Sequence, residues 1–184
     1  MLLIILYILL LSILLVILLL IFIELFSDFA LNKVPYVPTN YKIINNLLRQ
    51  FKFKTTPKVI YDLGAGDGRF LIKIGKIFPQ AKLIGYELSP WPYLLAKIKL
   101  FFLNNRAKII FKDFFTINLS DADIIFCYLG HEQMIKLEKK FDNELKTKTV
   151  IVCNTFPLPN WQPVKVIAGK SLKNNWNKLF IYEK

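Results

Sequence analysis

The first twenty-three residues contain no charged side chain, and the whole 184-residue chain has one histidine and two cysteines. Each scarcity excludes something. With His131 alone, and with Cys127 and Cys153 embedded in apolar runs, no zinc constellation can be assembled at ordinary spacing. The cysteines read instead as small core hydrophobes of a protein from a reducing compartment. Basic residues outnumber acidic ones by 25 to 13, giving a net charge of +12, yet no run of five or more basic residues occurs. That disfavours a nucleic-acid tract and leaves an anionic lipid surface, or a general compositional habit, as the reading of the lysines. Internal repeats and low-complexity linkers are also missing, so the polar part suits one domain with a full-sized core.

What the N-terminus does have is LLIILYILLLSILLVILLLIFI over residues 2–23, where Tyr7 and Ser12 are the only polar interruptions. At about 1.5 Å per residue this makes roughly 33 Å of helix, enough to cross a hydrocarbon core. A cleavable signal would have a shorter apolar region with basic residues before it and a small-x-small site after it. Ile21-Phe22-Ile23-Glu24-Leu25-Phe26 offers no such site. The organisation expected is an uncleaved single-pass anchor over 1–26, a connector over 27–38 stiffened by Pro35 and Pro38, and a domain over 39–184. Lys33 and Lys42 follow the anchor, which by the positive-inside rule places the domain on the cytoplasmic side of the membrane.

Beyond the connector, apolar runs and amphipathic stretches alternate. Asn40 or Thr39 caps a helix with Ile43, Ile44, Leu47, Leu48 and Phe51 on one face. Strands are expected at Lys58–Leu63, Lys82–Glu87, Ala107–Phe111, Ala122–Leu129 and Thr149–Asn154. Helices are expected at Gly68–Phe78, Pro92–Leu103 and Glu132–Leu145. In the second helix Leu94, Leu95, Ile98 and Phe101 mark an apolar face. Val164–Ala168 and Lys178–Glu183 close the chain as an antiparallel pair. Such alternation implies an α/β fold with a mostly parallel sheet covered on both faces and ligands at the carboxyl ends of the strands.

The most informative segment is Tyr61-Asp62-Leu63-Gly64-Ala65-Gly66-Asp67-Gly68-Arg69-Phe70, which turns from the first strand into a helix. A phosphate-binding P-loop needs Gly-Lys-Ser/Thr, and Gly68 is followed by arginine and phenylalanine. The dinucleotide fingerprint needs a third glycine at position 69, which is arginine. Asp62 and Asp67 would also confront a pyrophosphate at low dielectric. A ligand with a positive centre has no such difficulty. S-adenosylmethionine carries a sulfonium and an ammonium, its ribose wants an acid at the end of the second strand, and its adenine wants a polar group beyond the third. Glu87 and Asp113 stand at those places. The expected cofactor is S-adenosyl-L-methionine, held by Asp62, Gly64, Ala65, Gly66, Asp67, Gly68, Glu87 and Asp113.

These motifs resemble those of the class I, seven-β-strand methyltransferases. More narrowly, the chain is similar to the membrane-anchored protein-lysine methyltransferases whose mitochondrial members modify the adenine nucleotide translocase and the ATP synthase c subunit. The matching pieces are the N-terminal anchor, Val34-Pro35-Tyr36-Val37-Pro38-Thr39, the glycine loop, Gly85-Tyr86-Glu87, Asp121-Ala122-Asp123 leading into Tyr128-Leu129, and Phe156-Pro157-Leu158-Pro159-Asn160-Trp161. The resemblance implies a Rossmann-like, seven-stranded methyltransferase sheet with an antiparallel C-terminal hairpin, preceded by one transmembrane helix. It also implies a lysine of a membrane-associated protein as substrate.

A lysine amine must be neutral to accept a methyl group. From a free pKa of about 10.4, deprotonation at pH 7 costs on the order of 4–5 kcal/mol. Tyr128, His131 and Glu132 after the fourth strand, and Asn154 after the fifth, are the catalytic candidates by fold geometry. Enzymes acting on planar amino groups of bases usually carry Asn/Asp-Pro-Pro-aromatic after the fourth strand, and Cys127-Tyr128-Leu129-Gly130 lacks it. Two other classes stay open: a lipid- or quinone-type small-molecule methyltransferase, and a membrane-bound module that binds S-adenosylmethionine without catalysis.

Overall fold

A computed structural model describes residues 1–30, 36–54, 56–168 and 178–184, with the side chains of 24–30 excepted. Lys33, Val34 and Pro35 of the connector lie outside these residues. Helix α1, Leu2–Ala30, is apolar around its whole circumference and exposed on every side from Met1 to Ile23. Its Leu2–Ile23 portion is long and apolar enough to cross a membrane. No side of this helix is reserved for a protein core.

The rest of the chain builds one seven-stranded sheet. Helix α2, Tyr41–Gln50, starts where Asn40 Oδ1 accepts the Lys42 amide at 2.9 Å, and it buries Ile43, Ile44 and Leu47. The elements that follow are β1 Val59–Leu63, α3 Arg69–Ile74, β2 Lys82–Glu87, α4 Pro90–Phe102, β3 Lys108–Phe111, β4 Ile124–Cys127, α5 His131–Glu144, β5 Val150–Asn154, β6 Lys165–Ala168 and β7 Lys178–Glu183. Strand order is β3-β2-β1-β4-β5-β7-β6. The first five strands are parallel, and β7 runs antiparallel between β5 and β6. β1 is central, with Leu63 opposite Tyr86 of β2 on one side and Cys127 of β4 on the other. The chain leaves β1 toward one side of the sheet and β4 toward the other, which opens a crevice above their carboxyl ends.

Two apolar cores sandwich the sheet. One joins α2, α3 and α4 to it through residues such as Ile44, Leu47, Phe70, Leu71, Ala96 and Ile109. The other seats α5 through Met134, Leu137 and Phe141. Cys127 and Cys153 are neighbours in the register of β4 and β5, buried and not joined by a disulfide, with their sulfurs 3.6 Å apart. Burial pushes the Cys153 thiol well up from its ordinary value.

Two boundaries and one buried face differ from the sequence expectation in ways that matter. β4 stops at Cys127, so Tyr128 and Leu129 leave the sheet. Helix α4 begins at Pro90, because prolines at 90 and 92 lie in a first turn whose amides need no intrahelical partner. The face that α4 buries is also not the one expected. Pro92, Ala96 and Leu100 point inward, whereas Leu94, Ile98 and Phe101 are exposed. Periodicity located an apolar stripe on this helix, but the small residues opposite it allow the closer approach to the sheet.

Candidate active site

The turn from β1 into α3 requires glycine by its backbone. Gly64, Gly66 and Gly68 all adopt left-handed conformations, with φ of 75°, 54° and 75°. Contact adds a second reason at Gly66, where a β-carbon would lie 2.5 Å from Cε2 of Tyr36. Tyr36, in the segment between α1 and α2, is thus packed directly against the glycine loop.

The loop amides turn inward. Gly64 and Ala65 both donate to the Tyr86 carbonyl at 2.9 Å, Gly68 donates to the Ala65 carbonyl at 2.9 Å, and Gly66 donates to Glu87 Oε2 at 2.7 Å. With these four amides engaged, the loop offers no ring of free N–H groups to cradle a phosphate, which removes both nucleotide-phosphate readings on geometry. The other Glu87 oxygen accepts the amides of Leu88 and Ser89 at 2.9 and 2.8 Å. Glu87 is buried and fixed at the end of β2 by three backbone donors.

The two aspartates of the loop behave oppositely. Asp67 is engaged by Arg69, at 2.8 Å from Nε and 2.6 Å from Nη2, and by Lys99 Nζ. Burial alone would raise its carboxyl, but the hydrogen bonds and charges of Arg69 and Lys99 outweigh burial and bring it down to about 2. Arg69 also donates to the Thr39 carbonyl at 2.8 Å and lies over the Tyr41 ring at 5.0 Å. It fastens the start of α2 to the loop. Asp62 has no ion-pair partner among the described residues. Burial first, and then the charges of Glu87 and Asp67, push its carboxyl well above the usual range. An acid in that position is ready to receive a cation.

Above these groups is a cavity of about 490 Å³. Its wall includes Asp62, Gly64, Ala65, Gly66, Asp67, Glu87 and Asp113 of the expected cofactor set; Gly68 lies just behind it, capping α3. Asp113 follows β3 and accepts the Phe115 amide at 2.8 Å. Of the four catalytic candidates, Tyr128 and Glu132 reach the cavity wall and His131 and Asn154 do not. His131 is exposed at the start of α5. Asn154 is buried at the end of β5; its Oδ1 accepts from Thr155 Oγ1 at 3.3 Å, and its Nδ2 has no hydrogen-bond partner among the described residues.

Sequence reasoning overlooked several wall residues. In sequence Tyr36 has a place only in the connector and the family-like stretch, Thr39 one as a helix cap, and Arg69 one as the residue that spoils two nucleotide motifs, while Leu88, Phe114 and Phe115 carry no polar signal. The proline–aromatic stretch near the C-terminus has another task. Glu138 accepts from the amide and the side chain of Asn160 at 2.8 and 2.7 Å, and the Leu158 amide donates to the Tyr182 hydroxyl at 3.0 Å. It clamps the loop after β5 onto α5.

The residues fit S-adenosylmethionine on their own terms. There is a bare backbone turn whose Gly64, Ala65, Gly66 and Gly68 amides are engaged, a buried acid with a raised carboxyl beside it, a fixed carboxylate at the end of β2, and a polar and aromatic corner after β3. Comparison with known proteins agrees. A family model described as the ANTKMT methyltransferase domain matches residues 62–165. A protein-lysine N-methyltransferase of Saccharolobus islandicus is 34% identical over 73% of this chain and 84% of its own. The adenine nucleotide translocase lysine N-methyltransferase of Mus musculus is 31% identical over 78% of this chain, and the ATP synthase c-subunit lysine N-methyltransferase of Homo sapiens 30% over 80%. The matched region spans less than two thirds of those two mammalian proteins, 62% and 63%. Among solved structures, an RNA methyltransferase from Salinibacter ruber in complex with S-adenosyl-L-homocysteine superposes with a TM-score of 0.70 at 23% identity, covering 80% of this chain and 93% of that one, which shows the shared fold. The chain belongs to the ANTKMT methyltransferase family and is an S-adenosylmethionine-dependent methyltransferase.

Proposed function

We propose that the protein is a membrane-anchored protein-lysine methyltransferase whose substrate is a lysine of a membrane-associated protein, with the domain on the cytoplasmic side. The observation that carries this reading is the position of the connector. Tyr36, Val37, Pro38 and Thr39 line the cofactor cavity, and Tyr36 comes only six positions after Ala30, the last residue of α1. Six residues span at most about 20 Å, so the cavity stays close to wherever α1 is embedded. Confinement of this kind raises the effective concentration of a substrate in the same membrane without any new contact. The relatives that share the family are named for lysine methylation, which supports the chemistry.

In this reading Asp62, Glu87 and Asp113 hold the cofactor, with Glu87 at the ribose and Asp113 at the adenine edge. When bound, S-adenosylmethionine supplies an electrophilic methyl on a sulfonium. The protein contributes positioning, because the transfer is an in-line displacement. Tyr128 and Glu132, at the cavity wall, are placed to accept hydrogen bonds from the incoming amine. Desolvation in the cavity lowers the ammonium pKa, and Glu132 is the acceptor for the proton that must leave. His131 and Asn154 have no part in this arrangement.

The test uses cells lacking the chain, complemented with the full protein or with a variant deleted for residues 1–26. Mass spectrometry of membrane proteins should show a methyl-lysine that the full chain restores and the deletion restores poorly at matched expression. Full restoration by the deletion variant means that the anchor does not serve substrate access. A methylated lipid or quinone as the product would replace the lysine reading.

A further inference from the structure

Helix α4 is apolar on two opposite sides, and one of them is exposed along most of its length. The inner side is formed by Pro92, Ala96 and Leu100. Half a turn away, Leu94 and Ile98 are 40% and 44% exposed, and Phe101 and Phe102 are 80% and 79% exposed. With Trp91 they make one stripe down the whole length of the helix, since positions 91, 94, 98 and 101–102 repeat at the helical period. On the same face the edge strand β3 adds the exposed Phe111, whose ring lies 5.3 Å from that of Tyr93 of α4. A contiguous apolar surface on a domain marks an interaction site.

Its charge says what kind of site. From Leu88 to Lys112 there is no acidic residue, while Lys97, Lys99, Arg106, Lys108 and Lys112 are basic. Lys99 is paired with Asp67; the other four are exposed, with Arg106 also donating to the Phe78 carbonyl at 2.6 Å. Aromatic residues interleaved with cations suit the boundary between anionic headgroups and acyl chains, where rings sink in and lysines stay at the phosphate level. The position agrees as well, because α1 meets the domain at α4.

We propose that the outer face of α4, with the exposed edge of β3, is a second membrane contact that lays the domain against the anionic bilayer holding α1. This rests on the reading of α1 as a membrane anchor. A single helix leaves a domain free to rotate above the bilayer; a second contact fixes which side of it faces the surface. The cavity opening, at the carboxyl ends of the strands, is then held at one height and orientation relative to the lipid.

The experiment places single spin labels on the full chain in nanodiscs that contain anionic phospholipid. Cys127 and Cys153 are buried, so introduced thiols label selectively. Leu14→Cys reports the anchor, Phe102→Cys the α4 face, and Lys139→Cys the exposed side of α5 on the opposite face of the sheet. Cofactor binding checks each fold, and Ile98→Cys replaces Phe102→Cys if that variant does not fold. We expect labels at 14 and 102 to be shielded from an aqueous relaxation agent and relaxed by oxygen, and the label at 139 to be water-exposed. Purely zwitterionic lipid, or Lys108→Glu with Lys112→Glu, should move the label at 102 toward water and leave the one at 14 unchanged. A label at 102 as water-exposed as that at 139, with 14 in lipid, overturns the proposal and leaves the anchor standing. A label at 14 in water overturns both. Shielding at 102 that persists without anionic lipid and comes with spin–spin broadening assigns the face to a second copy of the chain instead.

Discussion

The amide of Gly66 donates to Glu87 Oε2 at 2.7 Å, joining the turn after β1 to the end of β2 across twenty-one positions of sequence. One carboxylate therefore shapes the glycine loop and presents an acid to the cavity.

Glu87→Ala should weaken S-adenosylmethionine binding by about 1.5–3 kcal/mol, the range for hydrogen bonds to a charged group. It also frees the amides of Gly66, Leu88 and Ser89. Isothermal calorimetry on the detergent-solubilised chain measures this. Unchanged affinity would sink the assignment of Glu87 to the ribose.

Asp62 gives the affinity a pH dependence. Its carboxyl is raised, so in the empty site it holds its proton above the ordinary carboxylate range, and ionisation there costs the domain stability as pH rises. A bound cation favours the ionised form and offsets that loss. Affinity for S-adenosylmethionine should increase with pH as Asp62 ionises, and Asp62→Asn should bind more weakly with a flat profile. Equal slopes in the two proteins would show that another group is titrating.

Asp67 acts in the reverse sense. Its carboxyl is lowered to about 2 by Arg69 and Lys99, so its stabilisation is complete above the ordinary value of 3.8 and is lost as pH falls through about 2. Thermal unfolding of Asp67→Asn should show a constant deficit from neutral pH down to the ordinary carboxylate value and a shrinking one below it. A deficit that does not change with pH would mean that packing, and not the ion pairs, is lost.

Gly66→Ala tests the contact between connector and loop. The left-handed backbone at Gly66 costs a non-glycine residue roughly 1–2 kcal/mol, and the new methyl group would also displace the Tyr36 ring. Cofactor binding should fall sharply, and Tyr36→Ala in the same chain should restore part of it. If the double variant binds no better than Gly66→Ala alone, the backbone conformation accounts for the whole effect.

The local sequence determined a great deal. An uncharged run over 2–23 gives a helix long and apolar enough to cross a membrane, alternation of strand and helix patterns gives a parallel sheet, and glycines at 64, 66 and 68 set a left-handed turn after the first strand. These are short-range properties, carried by backbone freedom and by the periods of hydrophobicity. What lay beyond reach depended on which distant residues meet. Asp62 and Asp67 look alike in sequence, yet Arg69 and Lys99, the latter thirty-two positions away, pair with Asp67 alone, while burial raises Asp62. Tyr128 and Glu132 reach the cavity while His131 does not, because β4 ends at Cys127 and α5 begins at His131, which fixes the direction of each side chain. In α4 the apolar period was visible, but tertiary packing put Ala96 against the sheet and left Phe101 outside, since a small residue admits the helix closer than a phenylalanine would.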